Sequence, residues 1–332
     1  MMKIKIILIL AVIVGGIFYL RYQAYSSRGS AGEKIFEISK GEGNIAIAEK
    51  LKNEGLISSK IYFYYYVKAN RAQNKFLPGK YSLNGNMTIP EIVLTMTREE
   101  NILPGYAKVT FPEGWTAKQM SERLSANGLD GDGFLKIAQG PSSDIIAGYD
   151  FLKGEKNLEG YLFPDTYFFG KDLSAEGIVK KMLDNFDRKI SAETRNKIKG
   201  QGKTIKEIMT MASIVEMEVR SEEDRVLVSG LYWNRIKVGQ PLQSDITLTY
   251  ILGVNKKQYS FEDTRTPSPY NTYLHKGLPP GPIGNPGLSA INAAINPKDS
   301  PYNYYLSDPE TGKTIFSKTF EEHVANKAKY GL

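Results

Sequence analysis

The longest uninterrupted apolar stretch is IILILAVIVGGIFYL at residues 6–20, preceded by Lys3 and Lys5 and closed by Arg21 and Tyr22. At about 1.5 Å per residue it reaches about 23–26 Å, against a hydrocarbon core of about 30 Å. It predicts a membrane-anchor helix over residues 1–25, completed by snorkelling lysines and by Tyr19 and Tyr22 at the interface. A cleaved signal peptide is the rival reading, but its small-residue site would have to lie at residues 30–32, beyond the aromatics and Arg21. Lys3 and Lys5 on the cytoplasmic side place the rest of the chain outside, although Arg21 and Arg28 oppose that orientation. Residues 26–34, with SSRGSAG at 26–32, read as a flexible linker.

Beyond the linker the pattern repeats when the chain is shifted by 73 residues. Gly41, Glu49, Leu51, Gly55 and Leu56 fall on Gly114, Glu122, Leu124, Gly128 and Leu129. Each copy reads as a short apolar strand, a Gly, a helix, and a Gly-Leu helix end, a combination that also arises by chance. Between the copies, 80–83 predicts a strand and 89–96 a helix opened by Thr88 and Pro90. Strand, helix, strand, helix over 35–100 is similar to the LysM-like module of cell-wall enzymes. The run Tyr62 to Tyr66 reads as core of that module rather than a sugar platform.

Further on, a helix runs to about Asn127 and is followed by irregular Gly-rich sequence. Residues 175–189 and 205–219 carry helical periodicity, and 255–305 is dense in Pro, Gly, Asn and Tyr, which predicts long ordered loops. NYYLSDPETGKTIFS predicts a hairpin, followed by a C-terminal helix. On a wheel at about 100° per residue, Ile205, Ile208, Met209, Ala212, Val215 and Val219 share one face. Glu216 falls in the middle of that face and Glu218 well over a right angle away from it. A carboxylate on an apolar stripe is desolvated, which raises its pKa and suits it to proton donation, although a structural ion pair would leave the same trace. Glu222, Glu223 and Asp224 read as a solvated start to the next helix.

The 332 residues, 41% hydrophobic and 24% charged, exclude a disordered chain and suggest about two globular domains. Cysteine is absent and the two histidines are His275 and His323. That removes zinc fingers, thiol nucleophiles and disulfides, and leaves acid–base work mainly to carboxylates, lysines and tyrosines. The net charge of +7 suits an anionic polymer or a membrane surface as partner.

Four motifs, LEGYLFPDTY (158–167), ASIVEMEV (212–219), LYWNRIKVGQPLQSDITLTYILG (231–253) and TPSPYNTYLHKGLPPGPIGNPG (266–287), resemble those of the YceG-like endolytic murein transglycosylases, and they occur in family order. The resemblance implies an α+β fold with an N-terminal transmembrane helix (1–25), a linker (26–34), a small α+β LysM-like domain (35–103) and a larger α+β YceG-like catalytic domain (104–332). It implies a single-pass protein of the bacterial inner membrane, with the catalytic domain extracytoplasmic. That protein cleaves the MurNAc–GlcNAc bond of nascent glycan strands, leaves a 1,6-anhydro end and ends strand elongation. It implies peptidoglycan glycan strands, the cytoplasmic membrane and cell-wall synthases of the penicillin-binding type as partners, and no nucleic acid.

The resemblance carries the catalytic role to the first Glu of ASIVE, which is Glu216, acting first as general acid on the glycosidic oxygen and then as general base on the muramyl C6 hydroxyl. Met217 stands where the family often has Lys. No metal or organic cofactor is required. Gln243, Ser244, Asp245, Tyr270, Asn271, Thr272 and Tyr273 offer amide, hydroxyl, carboxylate and flat apolar surfaces suited to sugars, with loop-building as their alternative role. Glu159, Tyr161 and Asp165 are expected to line or orient the cleft, while LPPG (278–281) and GNPG (284–287) read as backbone-fixing. Two other classes compete. A non-enzymatic peptidoglycan-binding scaffold would keep its function without Glu216 and lose it without 35–100. A pyridoxal-phosphate lyase would need a phosphate cradle, and no glycine-rich loop after a strand is evident.

Overall fold

The computed structural model describes residues 2–26, 28–32, 34–103, 105–256, 258–308 and 311–331. The chain divides into two compact units, one of residues 1–108 with 167–172, the other of 109–166 with 173–332.

The first unit opens with helix α1 (Met2–Ser26), which contains the apolar run. The side chains of residues 2–13 lie outside the described residues, and among the described residues no helix is long and apolar enough to cross a membrane. Then follow β1 (Lys34–Ile38), α2 (Asn44–Asn53), α3 (Lys60–Ala69), β2 (Gly79–Leu83) and α4 (Ile89–Met96). β1 and β2 pair antiparallel, Lys34 opposite Leu83 and Ile38 opposite Gly79. Alternation along each strand sends Phe36, Ile38, Tyr81 and Leu83 inward, where they meet Ile47, Leu51, Phe63, Val67, Ile89, Ile92 and Met96. The start of α4 is set by a capping box of Thr88 and Glu91, with Pro90 in the first turn. On α3, Phe63 and Val67 are buried while Tyr62, Tyr64 and Tyr66 pack against the rim of that core. The last turns of α1 reach the same rim, with Ala24 buried and Tyr25 edge-on to Tyr66 at 5.4 Å.

β3 (Tyr106–Thr110) leads into α5 (Ala117–Ala126), and the 73-residue repeat is now visible as geometry. α2 and α5 start and end at equivalent positions of the two copies. Gly41 and Gly114 both take φ +80°, and Gly55 and Gly128 take +73° and +72°. Behind each second glycine a leucine N–H returns to the helix, Leu56 to the Leu51 carbonyl and Leu129 to the Leu124 carbonyl. The copies therefore share one backbone path, in which left-handed positions before and after the helix require glycine.

The second unit continues with α6 (Gly131–Gln139) and α7 (Ser143–Ala147), where irregular chain is expected from the glycines. Those glycines allow close packing here. A Cβ on Gly131 would lie 2.2 Å from the Ser121 carbonyl oxygen, so α6 packs on α5 at a distance only Gly permits, and Asp130 caps the Gly133 N–H at 2.8 Å. β4 (Thr166–Gly170), which pairs with β3 and from residue 167 belongs to the first unit, is followed by α8 (Ala175–Lys189), α9 (Ala192–Gly200), α10 (Ile205–Glu218), α11 (Glu222–Lys237) and α12 (Asp245–Leu252) of the second. α13 (Leu288–Ile295) interrupts the expected loop region, because its small and apolar residues Ala290, Ile291, Ala293 and Ala294 bury against α10 and α11. The hairpin β5 (Tyr304–Ser307) and β6 (Thr314–Ser317) and the final helix α14 (Phe320–Lys329) form as the sequence indicates.

α10 is the centre of this unit. Every residue from Ile208 to Val215 is buried, and α9, α11, α12 and α13 all pack on it. Thr204 and Glu207 form its capping box. The packing of α11 rests on Gly230, where a Cβ would lie 2.0 Å from the Lys298 carbonyl oxygen. Ala at this position gains about 1 kcal/mol of helix propensity but forces two backbones apart, and overpacking costs about 1–3 kcal/mol or more. Gly230→Ala is therefore expected to lower stability by about 1–2 kcal/mol, read as a reduced urea midpoint at unchanged slope; an unchanged or higher midpoint would contradict this packing.

Candidate active site

The last residues of α10 diverge, and each of Glu216, Met217 and Glu218 enters a different environment. The Glu216 carboxylate accepts hydrogen bonds from Arg225 Nη2 of α11 and from the Gly287 N–H, the latter at 2.9 Å. The pair is sealed, with the Glu216 and Arg225 side chains 5% and 10% exposed. Arg225 Nε also donates to the Val219 carbonyl at 3.3 Å, so the guanidinium ties the end of α10 to the start of α11. Burial raises the Glu216 pKa, opposed by the Gly287 N–H and the Arg225 charge and assisted by Glu113. A Cβ on Gly114 would lie 3.5 Å from Glu216 Cγ, and one on Gly284 2.5 Å from the Gly114 carbonyl oxygen. Two glycine loops thus close over this carboxylate, and it is not among the residues that line the two clefts beside Met217 and Glu218.

Glu218 opens onto a cleft of about 560 Å³. Its carboxylate accepts from Ser244 Oγ and from Tyr232 OH, the latter at 3.1 Å, and Tyr232 OH is hydrogen-bonded in turn to Tyr305 OH. Burial raises its pKa, the hydrogen bonds of Ser244, Tyr305 and Tyr232 oppose the rise, and the Asp245 charge adds to it. Arg235, Gln243, Asp245, Tyr273, Tyr304 and Tyr305 line the same cleft. Tyr273 OH donates to Asp245 Oδ1 at 2.6 Å, and burial, then Asp245, push the Tyr273 phenol up. Gln243 sits at φ +51°, a left-handed conformation that costs a non-glycine residue about 1–3 kcal/mol. It is held there by its N–H bond to the Thr272 carbonyl at 3.0 Å. The strained residue lies on the cleft lining beside the desolvated acid.

Met217 faces a second cleft, of about 810 Å³, whose lining includes Glu159, Tyr250 and Tyr270. Tyr250 and Tyr270 rings lie 5.1 Å apart. Glu159 accepts from the Ala117 N–H at 3.0 Å and from Asn285 Nδ2 at 2.6 Å. Burial pushes its pKa up to about 7, against those two hydrogen bonds. Asn285, fully buried, also accepts from the N–H groups of Gly160 and Leu162 and donates to the Trp115 carbonyl. One amide thereby pins the GNPG loop, the turn after residue 158 and the start of α5.

Of the sequence candidates, Gln243, Asp245 and Tyr273 surround the Glu218 cleft, with Ser244 bonded to Glu218 itself, while Glu159 and Tyr270 border the second cleft. Three buried candidates build the fold instead of facing a cleft. Tyr161 packs its ring against Phe151 and Phe186. Asn271 spends its side chain on the Thr264 and Thr266 carbonyls and the Tyr273 N–H. Thr272 bonds Ser244 N–H and Thr247 Oγ1. Asp165 is likewise used internally, by the Thr166 N–H and Asn185 Nδ2.

Glu218 lies off the most apolar stripe of α10 and is desolvated all the same, because α9, α11, α12 and α13 all pack on this helix. Tyr305 and His323 are missed because their elements are distant in sequence, and Tyr232 and Arg235, within the 231–253 motif, because the motif alone does not show which face of α11 meets the cleft. A desolvated carboxylic acid held by hydroxyls in an aromatic-walled, polar-floored cleft can deliver a proton and take one back. Among the described residues, no cluster of carboxylates and histidines that could hold a metal ion occurs.

The YceG-like family pattern matches residues 36–329. The chain is 34% identical over 306 residues to the endolytic murein transglycosylase of Bacillus subtilis (strain 168), covering 88% of this chain and 83% of that protein. It is 30% identical over 318 residues to the endolytic murein transglycosylase of Streptococcus pneumoniae serotype 2 (strain D39 / NCTC 7466), where it spans 57% of the relative's length. A crystal structure of a yceG-like protein from Listeria monocytogenes superimposes with a TM-score of 0.62 at 36% identity, over 90% of this chain and 100% of that one.

Glu159 gives the site a pH signature. Its native pKa of about 7 lies above the ordinary 4.5, so the unfolded chain releases the proton first as pH rises. The favourable contribution is complete below 4.5 and is lost as pH rises to about 7. Stability relative to Glu159→Gln is therefore expected to fall across that window in urea titrations; a pH-independent difference would contradict the buried acid.

Proposed function

This chain belongs to the YceG-like family, and from that premise we propose that it is an endolytic murein transglycosylase with Glu218 as its acid and base. The observation that carries the assignment is the placement of Glu218: a desolvated carboxylate, bonded to Ser244 and Tyr232, in a cleft walled by Tyr273, Tyr304 and Tyr305. Glu216 has the desolvation but not the access, since Arg225 and the Gly287 N–H occupy its oxygens. Its role is to hold α10, α11 and the GNPG loop together.

The protonated Glu218 gives its proton to the oxygen between MurNAc and GlcNAc, and the bond from that oxygen to the muramyl C1 breaks. The resulting carboxylate takes the proton of the muramyl C6 hydroxyl as its oxygen closes on C1. The products are a 1,6-anhydro end and a free GlcNAc hydroxyl, with no water consumed and Glu218 protonated again. Glycosidases that hydrolyse need two carboxylates, one of them for water or as nucleophile. An internal hydroxyl removes that need, and Asp245 is already engaged by Tyr273. Burial raises the proton affinity of Glu218, which favours the donating form, while the Ser244 and tyrosine hydroxyls stabilise the carboxylate it becomes, which favours the accepting one.

The N-terminal half completes the proposal. The apolar run at 6–20 behind Lys3 and Lys5 supports a single-pass anchor in the bacterial cell membrane with the remainder extracytoplasmic. The strand, helix, helix, strand order of β1, α2, α3 and β2 supports a LysM-like module after it in the chain.

Two variants separate the glutamates. Glu218→Gln is expected to lower kcat for strand cleavage by about 10²–10⁴, the usual worth of an acid–base group, with little change in KM. Glu216→Gln is expected to leave kcat within a few-fold, whereas Glu216→Ala strands a buried Arg225 and costs about 3–5 kcal/mol of stability. Loss of kcat on Glu216→Gln with Glu218→Gln active would reverse the assignment.

A further inference from the structure

The Glu218 cleft holds a second chemistry that proton transfer leaves unused. Its acidic members, Glu218 and Asp245, come from α10 and α12, while its basic members, Arg235 and Lys327, come from α11 and α14. Arg235 donates to the carbonyls of Leu242 and Asn303, and among the described residues it has no carboxylate partner. Lys327 has neither a hydrogen-bond nor an ion-pair partner among them. His323, one helical turn before Lys327, stacks on Tyr304 with centroids 5.3 Å apart, and its buried Nδ1 has no hydrogen-bond partner.

Positive charge on this wall is thus not neutralised from within. His323 registers it: burial, then Lys327 and Arg235, hold its pKa below the ordinary value. Carbonyl-fixed guanidinium, unpaired ammonium and a vacant imidazole nitrogen in a walled cleft suit a carboxylate, which can accept several charge-assisted bonds at once. A neutral sugar ring would use none of this charge. Murein offers both kinds of group, since its glycan carries short acidic peptides on alternate sugars.

Resting on the murein reading above, we propose that Arg235, His323 and Lys327 form a subsite for a carboxylate of the peptide borne by the glycan, so that the cleft selects peptide-bearing strand over bare glycan. Selection acts in binding, and the proton chemistry of Glu218 is separate from it.

The test uses the detergent-solubilised full chain carrying Glu218→Gln, so that strands are bound and not consumed. Fluorescently labelled uncrosslinked strands are titrated in two forms, with their peptides and after enzymatic removal of them. The expected result is about tenfold tighter binding of the peptide-bearing form at low salt, a ratio that shrinks as salt rises. Lys327→Gln is expected to move that ratio toward one and Lys327→Arg to restore it. Equal affinities for the two forms would overturn the subsite, and so would a preference that survives Lys327→Gln combined with Arg235→Gln. Cleavage by the unmodified chain is followed in parallel: peptide-dependent binding without cleavage upholds the subsite and fails the transglycosylase reading, and cleavage without peptide-dependent binding does the reverse.

Discussion

A helix buried through its middle must find partners for charges carried beside that core, and α10, buried from Ile208 to Val215, carries Glu216 and Glu218 at its C-terminal end. The fold answers them differently. Arg225 and a backbone N–H from the GNPG loop enclose Glu216, which converts a desolvation cost into a clamp between α10, α11 and the loop. Hydroxyls hold Glu218 instead, those of Ser244 and Tyr232 bonded to it and that of Tyr305 bonded to Tyr232, and among the described residues it makes no ion pair. Much else in the second unit follows from this division. The glycines at 114, 284 and 287 bring loops against the Glu216 side, and the hairpin and α14 wall the Glu218 side.

The two carboxylates show why sequence periodicity reaches its limit at a central helix. A wheel separates inside from outside, so it discriminates only when one face meets water. α10 has no such face from Ile208 to Val215, and the residue the wheel sets aside is the one that borders a cleft. The family resemblance points to Glu216, and what distinguishes the two glutamates is the set of partners that other elements bring to each. Tyr305 and Arg225 supply those partners from different elements, and no local spacing encodes them.

Elements with strong local signals are legible. The helix opened by Thr88 and Pro90, the helix over 205–219, the hairpin at 304–317 and the amphipathic α8 all form where the pattern indicates. The 73-residue repeat is legible too, and matched glycine dihedrals make it a shared backbone path. Helices α6 and α13 are not, because glycine and alanine read locally as loop or weak helix, whereas here their smallness lets helices approach closely. Among the sequence candidates, Gln243, Asp245 and Tyr273 come together on the Glu218 cleft, with Ser244 bonded to Glu218. Asn271, Thr272 and Tyr161 are spent on building the loops and the core that hold the others.

The central claim is that one carboxylate serves both proton transfers and that the strand's own hydroxyl replaces water. Cleavage of purified uncrosslinked strands by the full chain in heavy-oxygen water, with the new muramyl ends weighed by mass spectrometry, tests it directly. Anhydro ends free of the heavy isotope are the predicted result. Reducing ends carrying the isotope would show that water attacks C1, which would require a second working carboxylate and contradict the single-acid mechanism.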